Sequence, residues 1–352
     1  MNHKDHHRFT WLRANILHLD RDAIEYDACW LGPDRLADTA LLKQLVFEDL
    51  EISGFTMQDL QQHTVVINCR SEGHCDLVLR PLIDLMQRIP VQNLLVLYNT
   101  IMDVSRLPYP AVIFPDWMMK LTPDWITRYG WPDPVLEVVH KFICLMRRPN
   151  PSRARLAQRL IDQKLDVLLS FGTGAAWPDD LPIWKPFFSD EVALPITVDD
   201  TTQYSSIDFH PELFMSCAVN IIAESSSQDD DLGWYGIFIT EKTGKCFYQR
   251  QLPLWWAVPG VVQAVRDLGF DVFDDVVDHS YDLEINADLR LDRLMQQIQI
   301  LDSMDLSGLR RELYPRLQNN FELLVKLYTA VGPSWQDVFN SANFGPQPLT
   351  TT

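Results

Sequence analysis

GIFITEKTGKCFYQRQLPLWWAVPG, residues 236–260, is the stretch whose reading decides the fold. Ile237 to Ile239 read as the end of a buried strand, and Thr240 is a good helix N-cap. Glu241 and Lys242 then fall in the first helical turn. A short mixed segment follows, and PLWWAV (253–258) supplies a second apolar run. That run is continuous rather than alternating, as a strand buried on both faces of a parallel sheet should be.

The same signal recurs along the chain. HTVVINC (63–69), NLLVLYN (93–99), AVIF (111–114), KFICLM (141–146), DVLLSF (166–171) and VNIIAE (219–224) are runs of strand length. Helical patterns lie between them. SRARLAQRLIDQK (152–164) places Leu156, Leu160 and Ile161 on one face. PGVVQAVRDLGF starts with Pro259 near a first-turn position, ends at Gly269 and carries Val261, Val262, Val265 and Leu268 as its stripe. Alternating strands and helices predict an α/β fold.

At 352 residues the chain exceeds one ordinary core, so two domains are expected. The prolines of WPDPVLEVVH (131–140) mark a boundary. They give an N-terminal α/β domain over 1–137 and a second over 138–282. From about Leu283 the pattern changes to long helices, LRLDRLMQQIQILDSM and ELYPRLQNNFELLVKLY, which with the tail occupy 283–352.

Composition narrows the function classes. The formal charge of −18 argues against a nucleic-acid backbone as partner, which needs a basic surface. It leaves room for a nucleotide, which one or two cations can hold. No window is apolar for the length of a membrane span, and the polar start MNHKDHHRFTWLR has no apolar signal core. A cytoplasmic protein is expected. The six cysteines are scattered and read as buried, reduced thiols.

Several motifs carry little. His3, His6 and His7 read as a disordered terminal cluster, and Cys69, His74 and Cys75 lack the paired spacing of a zinc site. Asp271, Asp274, Asp275 and Asp278 fall at near-helical spacing and read as a solvated helix face. There is no phosphate-loop motif, no dinucleotide GxGxxG and no GxSxG elbow.

Thr240-Glu241-Lys242 carries more. It stands at the carboxyl end of a strand, where open α/β sheets bind ligands. A helix start offers backbone N–H groups and positive partial charge to an anion. Lys242 adds a full charge for a diphosphate, and Glu241 can accept two hydrogen bonds from a ribose diol. The competing reading is an ordinary helix start with a dipole-favoured glutamate. Upstream, Arg147, Arg148, Arg153 and Arg155 form a basic cluster in an acidic chain, at a strand end, proline loop and helix start that can present a guanidinium to a phosphate.

The order AVNIIAESSS, then GIFITEKTGKCFYQRQLPLWWAVPG, resembles the donor-binding half of α1,3-fucosyltransferases and related viral and bacterial glycosyltransferases. In that resemblance Glu224 matches the Glu of a Phe-Glu-Asn strand end, and Phe238-Ile239-Thr240-Glu241-Lys242 match an aromatic-Val-Thr-Glu-Lys step. Pro253-Leu254-Trp255-Trp256 match a Pro-hydrophobic-hydrophobic-Trp-Gly strand, and LGFDVFDDVVDHSYD resembles a segment in which a Phe-Asp-Asp helix follows the donor domain. KFICLMRRPNPSRARL resembles the strand, loop and Arg that open the C-terminal domain, with Arg153 at the matching position and Arg147 and Arg148 close by. The likeness covers roughly Lys141 to Asp282. Ser225 stands where the family has Asn, and Ala257 where it has Gly.

The resemblance implies two Rossmann-like domains facing across a cleft, a GT-B-like arrangement, with C-terminal helices. It implies transfer of a sugar from a nucleoside diphosphate sugar to a glycan or other hydroxyl acceptor, without cofactor or metal. Donor contacts fall on Arg153, Arg147, Glu224, Ser225, Phe238, Glu241 and Lys242. The family's catalytic Glu has no counterpart here. After NLLVLYNT the nearest carboxylate is Asp103, and Glu72, after HTVVINCRS, is the second candidate base. Each can equally be a polar loop residue. A fold retained without catalysis, as a nucleotide- or glycan-binding or scaffold protein, is the alternative.

Overall fold

The structure, a computed structural model, describes residues 9–12, 23–28, 38–69, 76–89, 93–98, 100–101, 111–113, 122–131, 138–172, 181–198, 210–224 and 237–331. Glu72, Asp103 and Ser225 lie outside the described residues, as do His3, His6, His7, His74 and Cys75. The chain divides into two compact units. One comprises Met1–Asp116, Gly233–Gly236 and Thr329–Thr352; the other comprises Trp117–Leu232 and Ile237–Tyr328.

The first unit holds strands β1 (Phe9–Leu12), β2 (Ala23–Asp27), β3 (Thr64–Cys69), β4 (Asn93–Tyr98), β5 (Thr100–Ile101) and β6 (Ala111–Ile113). Its helices are α1 (Thr39–Ser53), α2 (Met57–Gln62) and α3 (Asp76–Arg88). The sheet order is β1-β2-β3-β4-β6, antiparallel at β1–β2 and parallel beyond. Tyr26, Val65, Ile67 and Val96 on the strands meet Leu42, Val46, Leu79, Leu82 and Met86 on the helices in one buried core. Local chemistry sets the helix ends. Asp38 caps α1 by accepting from Ala40 N and Leu41 N, and Gly54 closes it at φ 75°, where a side chain would be strained. Thr56 and Asp59 form a capping box on α2.

The second unit holds strands β7 (His140–Met146), β8 (Val167–Phe171), β9 (Cys217–Ala223), β10 (Ile237–Phe238) and β11 (Leu252–Trp256). Its helices are α4 (Thr122–Tyr129), α5 (Pro151–Asp162), α6 (Leu181–Trp184), α7 (Pro211–Met215), α8 (Glu241–Tyr248), α9 (Val261–Asp267), α10 (Ala287–Asp302) and, as far as Tyr328, α11 (Leu306–Val331). Every residue of β9 and β11 is buried, which is why those runs are apolar without alternation. The seven strands expected from continuous apolar runs are present in the two sheets.

The sheet order in this unit is β11-β9-β7-β8, parallel throughout. The chain leaves β7 towards β8, then returns to the far side of β7 for β9 and continues outward to β11. The direction of winding therefore reverses between β7 and β9, which is the switch point at which open parallel sheets leave a crevice. In the first unit's five-stranded sheet the strand order advances one way across the sheet without such a reversal.

Two consecutive tryptophans show how the helices are placed. The indole of Trp255 donates to Thr243 on α8 (3.1 Å), and that of Trp256 donates to Ser152 O on α5 (3.3 Å). Neighbouring side chains on a strand point to opposite faces. Thus α8 and α5 cover opposite faces of the sheet. Helix α10 joins the α5 side, with Arg155 bonded to Asp288, Arg159 paired with Asp292, and the Arg290 guanidinium over the Trp256 ring.

The acidic segment does not form the helix face that its spacing suggests. Residues 271–278 are irregular and His279–Leu283 form a 3-10 turn. Two features break the helix. Phe273 adopts φ 65°, and Asp271 turns its carboxylate onto Phe273 N (2.8 Å). The acids are then claimed by tertiary cations: Asp271 and Asp275 accept from Arg316 of α11, and Asp274 accepts from Arg266 of α9. Pro259 also falls before α9, whose N-cap is Gly260 at φ 89°. Glycine offers no capping side chain, and Asp282 substitutes for one by accepting from Val262 N (3.1 Å) and Gln263 N (3.3 Å). Burial pushes the Asp282 carboxyl above its ordinary value, against those backbone donors.

Candidate functional site

The C-terminal ends of β7 and β9 gather four of the residues singled out in the sequence. Asn150 caps α5 by accepting from Arg153 N (2.8 Å), which fixes Arg153 in the first turn. Glu224 follows β9 directly, and its N–H extends the ladder by donating to Trp256 O (3.0 Å). Thr240 caps α8, accepting from Lys242 N (3.3 Å), so Glu241 and Lys242 occupy the first turn as their sequence suggests.

Arg153 is buried at 3% exposure and crosses the switch point. Its guanidinium donates to Arg148 O (2.8 Å) on the loop after β7, and to Ala223 O (3.0 Å) and Glu224 O (2.9 Å) at the end of β9. Its Nε has no partner. Burial pushes the guanidinium below its ordinary pKa, opposed by the charges of Glu224 and Glu241. The residue that the sequence presents as a solvent-facing phosphate ligand is here a buried clamp between two strand ends. It supplies positive charge from behind the site.

Glu224 is fully buried. Its carboxylate accepts from Thr240 N (3.2 Å), Thr240 Oγ1 and Thr243 Oγ1 (2.8 Å). It is therefore satisfied by the protein rather than turned towards a ligand. Lys242 folds back over the helix start. Its ammonium donates to Thr240 Oγ1 (3.0 Å) and stands 3.8 Å from Glu224 and 3.7 Å from Glu241. Its side chain is 24% exposed and that of Glu241 is 18% exposed, so both reach solvent where Arg153 and Glu224 do not.

Burial would raise the Glu241 carboxyl, but Lys242, Lys245, the backbone and Arg153 together hold it below its ordinary value. At neutral pH it is an ionised acceptor at a positively charged helix start. The chemical capacity of this surface follows. An anion placed at the start of α8 meets backbone N–H groups and Lys242, while Glu241 accepts from hydroxyl donors. Arg147 is half-buried and Arg148 exposed on the loop after β7, and Phe238 is half-buried two residues before the N-cap. Ser225, Asp103 and Glu72 lie outside the described residues.

Two residues of this cluster carry no site role in the sequence: Thr243 is not singled out there, and Trp255 reads only as part of the Trp strand. Thr243 and Trp255 are buried and hydrogen-bonded to one another. A signal for Thr243 exists, since Thr240 and Thr243 occupy the N-cap and third helical positions and share a face. Nothing local marks the Trp255 indole as its partner.

The fold and site define an α/β protein with a parallel sheet and a charged, polar cluster at its switch point. No family model, curated protein or solved structure matches the chain.

Proposed function

We propose that this chain is a glycosyltransferase that moves a sugar from a nucleoside diphosphate sugar to an acceptor hydroxyl with inversion. One observation carries the reading: a glutamate and a lysine share the first turn of α8 at the switch point of a parallel sheet, with a buried guanidinium behind them. Glu241 would accept the ribose diol. Lys242 and the α8 N–H groups would meet the diphosphate, and Arg153 would add its charge from the interior. As the sugar leaves, negative charge grows on the diphosphate, and fixed cations stabilise it without a divalent metal. The acceptor hydroxyl attacks the anomeric carbon while a carboxylate takes its proton, with Asp103 or Glu72 as the candidate base. The two units would then be the acceptor and donor halves of a GT-B-like enzyme working in the cytoplasm. Among the described residues no helix is long and apolar enough to cross a membrane.

A second reading keeps the nucleotide or glycan site without catalysis. It is favoured by the three backbone carbonyls that occupy Arg153 and by the protein groups that surround Lys242. A thermal-shift screen of nucleoside diphosphates and their sugars, followed by assay of sugar release and transfer in EDTA, separates the two. Stabilisation with turnover supports the enzyme, and stabilisation alone supports the binding protein. No stabilisation by any member of the set refutes the enzyme and the nucleotide-binding protein alike.

A further inference from the structure

The buried side chains behind Lys242 form a hydrogen-bond chain whose polarity is fixed at both ends. The Trp255 indole can only donate, and it donates to Thr243 Oγ1 (3.1 Å). The Thr243 proton is therefore free to go to Glu224 Oε1 (2.8 Å). At the other end Thr240 Oγ1 accepts from Lys242 N (3.3 Å) and Lys242 Nζ (3.0 Å), and both of those can only donate. The Thr240 proton must then go to Glu224 Oε2. Glu224 thus receives three donors from two residues and turns both hydroxyls the same way, lone pairs outward. The result is an oxygen on Thr240 held as an acceptor for the ammonium of Lys242.

We propose that Trp255, Thr243 and Glu224 are positioning residues for Lys242: through the orientation of the Thr240 hydroxyl they hold its ammonium at the start of α8. Its importance for a diphosphate ligand rests on the glycosyltransferase reading above. The holding of Lys242 does not.

Glu224→Gln is the sharpest perturbation because it keeps the shape. If the introduced amide nitrogen replaced Oε1, it would face two donors, Thr240 N–H and Thr243 O–H. The lower-cost orientation puts it at Oε2, facing Thr240 Oγ1. The Thr240 hydroxyl then becomes the acceptor of that amide, and its proton turns towards the Lys242 ammonium. Two donors collide and the ammonium is released. Thr243→Val acts by another route: the Thr240 hydroxyl is not reversed, but the Glu224 carboxylate loses the donor that anchors Oε1 and with it its fixed hold on Thr240, while Thr243→Ser keeps that donor.

The test has two arms on the full chain. Competitive acylation of native protein, read peptide by peptide in a mass spectrometer, reports how tightly Lys242 is held. Lys141, bonded to Asp302, is the internal reference. Lys242 labelling should rise about threefold to tenfold in Glu224→Gln and in Thr243→Val, and stay at wild-type level in Thr243→Ser. Titration with inorganic pyrophosphate, followed by calorimetry, should weaken in the same two variants and not in the third. Unchanged Lys242 labelling in either folded variant overturns the proposal, whatever pyrophosphate does. Raised labelling with no pyrophosphate binding even in the wild type upholds the positioning of Lys242 and removes the diphosphate reading instead. If one variant fails to fold, the other decides alone.

Discussion

Arg153→Ala should destabilise the second unit strongly, because the side chain joins strand ends rather than facing solvent. The change deletes three hydrogen bonds from a charged donor, at 2.8, 3.0 and 2.9 Å, and strands the carbonyls of Arg148, Ala223 and Glu224. Bonds to charged groups contribute about 1.5–3 kcal/mol each, which sets a ceiling of roughly 5–9 kcal/mol. Removing the guanidinium also removes the cost of burying its charge, and breaking one partner of a buried charged cluster typically costs about 3–5 kcal/mol. We take that lower figure. For a unit of roughly 200 residues each kcal/mol shifts Tm by about 2–4 °C, so a loss of about 6–20 °C is expected. Arg153→Lys should recover only part of this, since one ammonium lacks the planar fork that reaches two separate segments. Circular dichroism melts in the absence of ligand are the assay. A melting point within about 2 °C of wild type would show that the guanidinium does not tie the strand ends together.

Other consequences follow from individual groups. The folded Glu241 carboxyl lies below its ordinary value, so its contribution is present above the unfolded value and lost as pH falls through the folded one. Between about pH 5 and about pH 3 the wild type should lose more stability than Glu241→Gln, and parallel urea curves across that window would refute the assignment. If Glu241 also grips a ribose, wild type should prefer ribonucleotides over their 2′-deoxy analogues and the Gln variant should discriminate less; equal binding of both sugars by wild type leaves it a helix-start residue only. Burial pushes the thiols of Cys144 and Cys217 up to about 12 and about 11, and that of Cys246 well above its ordinary value. All three should resist iodoacetamide at neutral pH and react only in denaturant, and peptide mapping that finds any of them alkylated in the native protein contradicts this.

Much of the local structure was legible in the sequence. The seven expected strands are present because a strand covered on both faces needs a continuous apolar run, and that requirement is written residue by residue. Thr240 is an N-cap and Glu241 and Lys242 are in the first turn because capping depends on neighbours two or three positions away. The same locality explains the failure at residues 271–278. Their spacing suited a helix, but the partners that hold those acids, Arg266 and Arg316, lie 8 and 41–45 residues away.

The order of the strands, and with it the place of the crevice, was decided only in three dimensions. Strand pairing matches backbone donors to acceptors across any sequence distance, and no local pattern records that β9 lies beside β7. The fate of Arg153 and Glu224 was decided in the same way. A sequence shows a cation and a carboxylate, but whether each meets water or protein depends on which groups the fold brings to it. Arg153 finds carbonyls 70 and 71 residues away, and Glu224 finds hydroxyls 16 and 19 residues away. The sequence by itself therefore determined which residues carry charge at the start of α8. Burial, which withdraws solvent from Arg153 and Glu224 and leaves it to Glu241 and Lys242, determined which of them can meet a ligand.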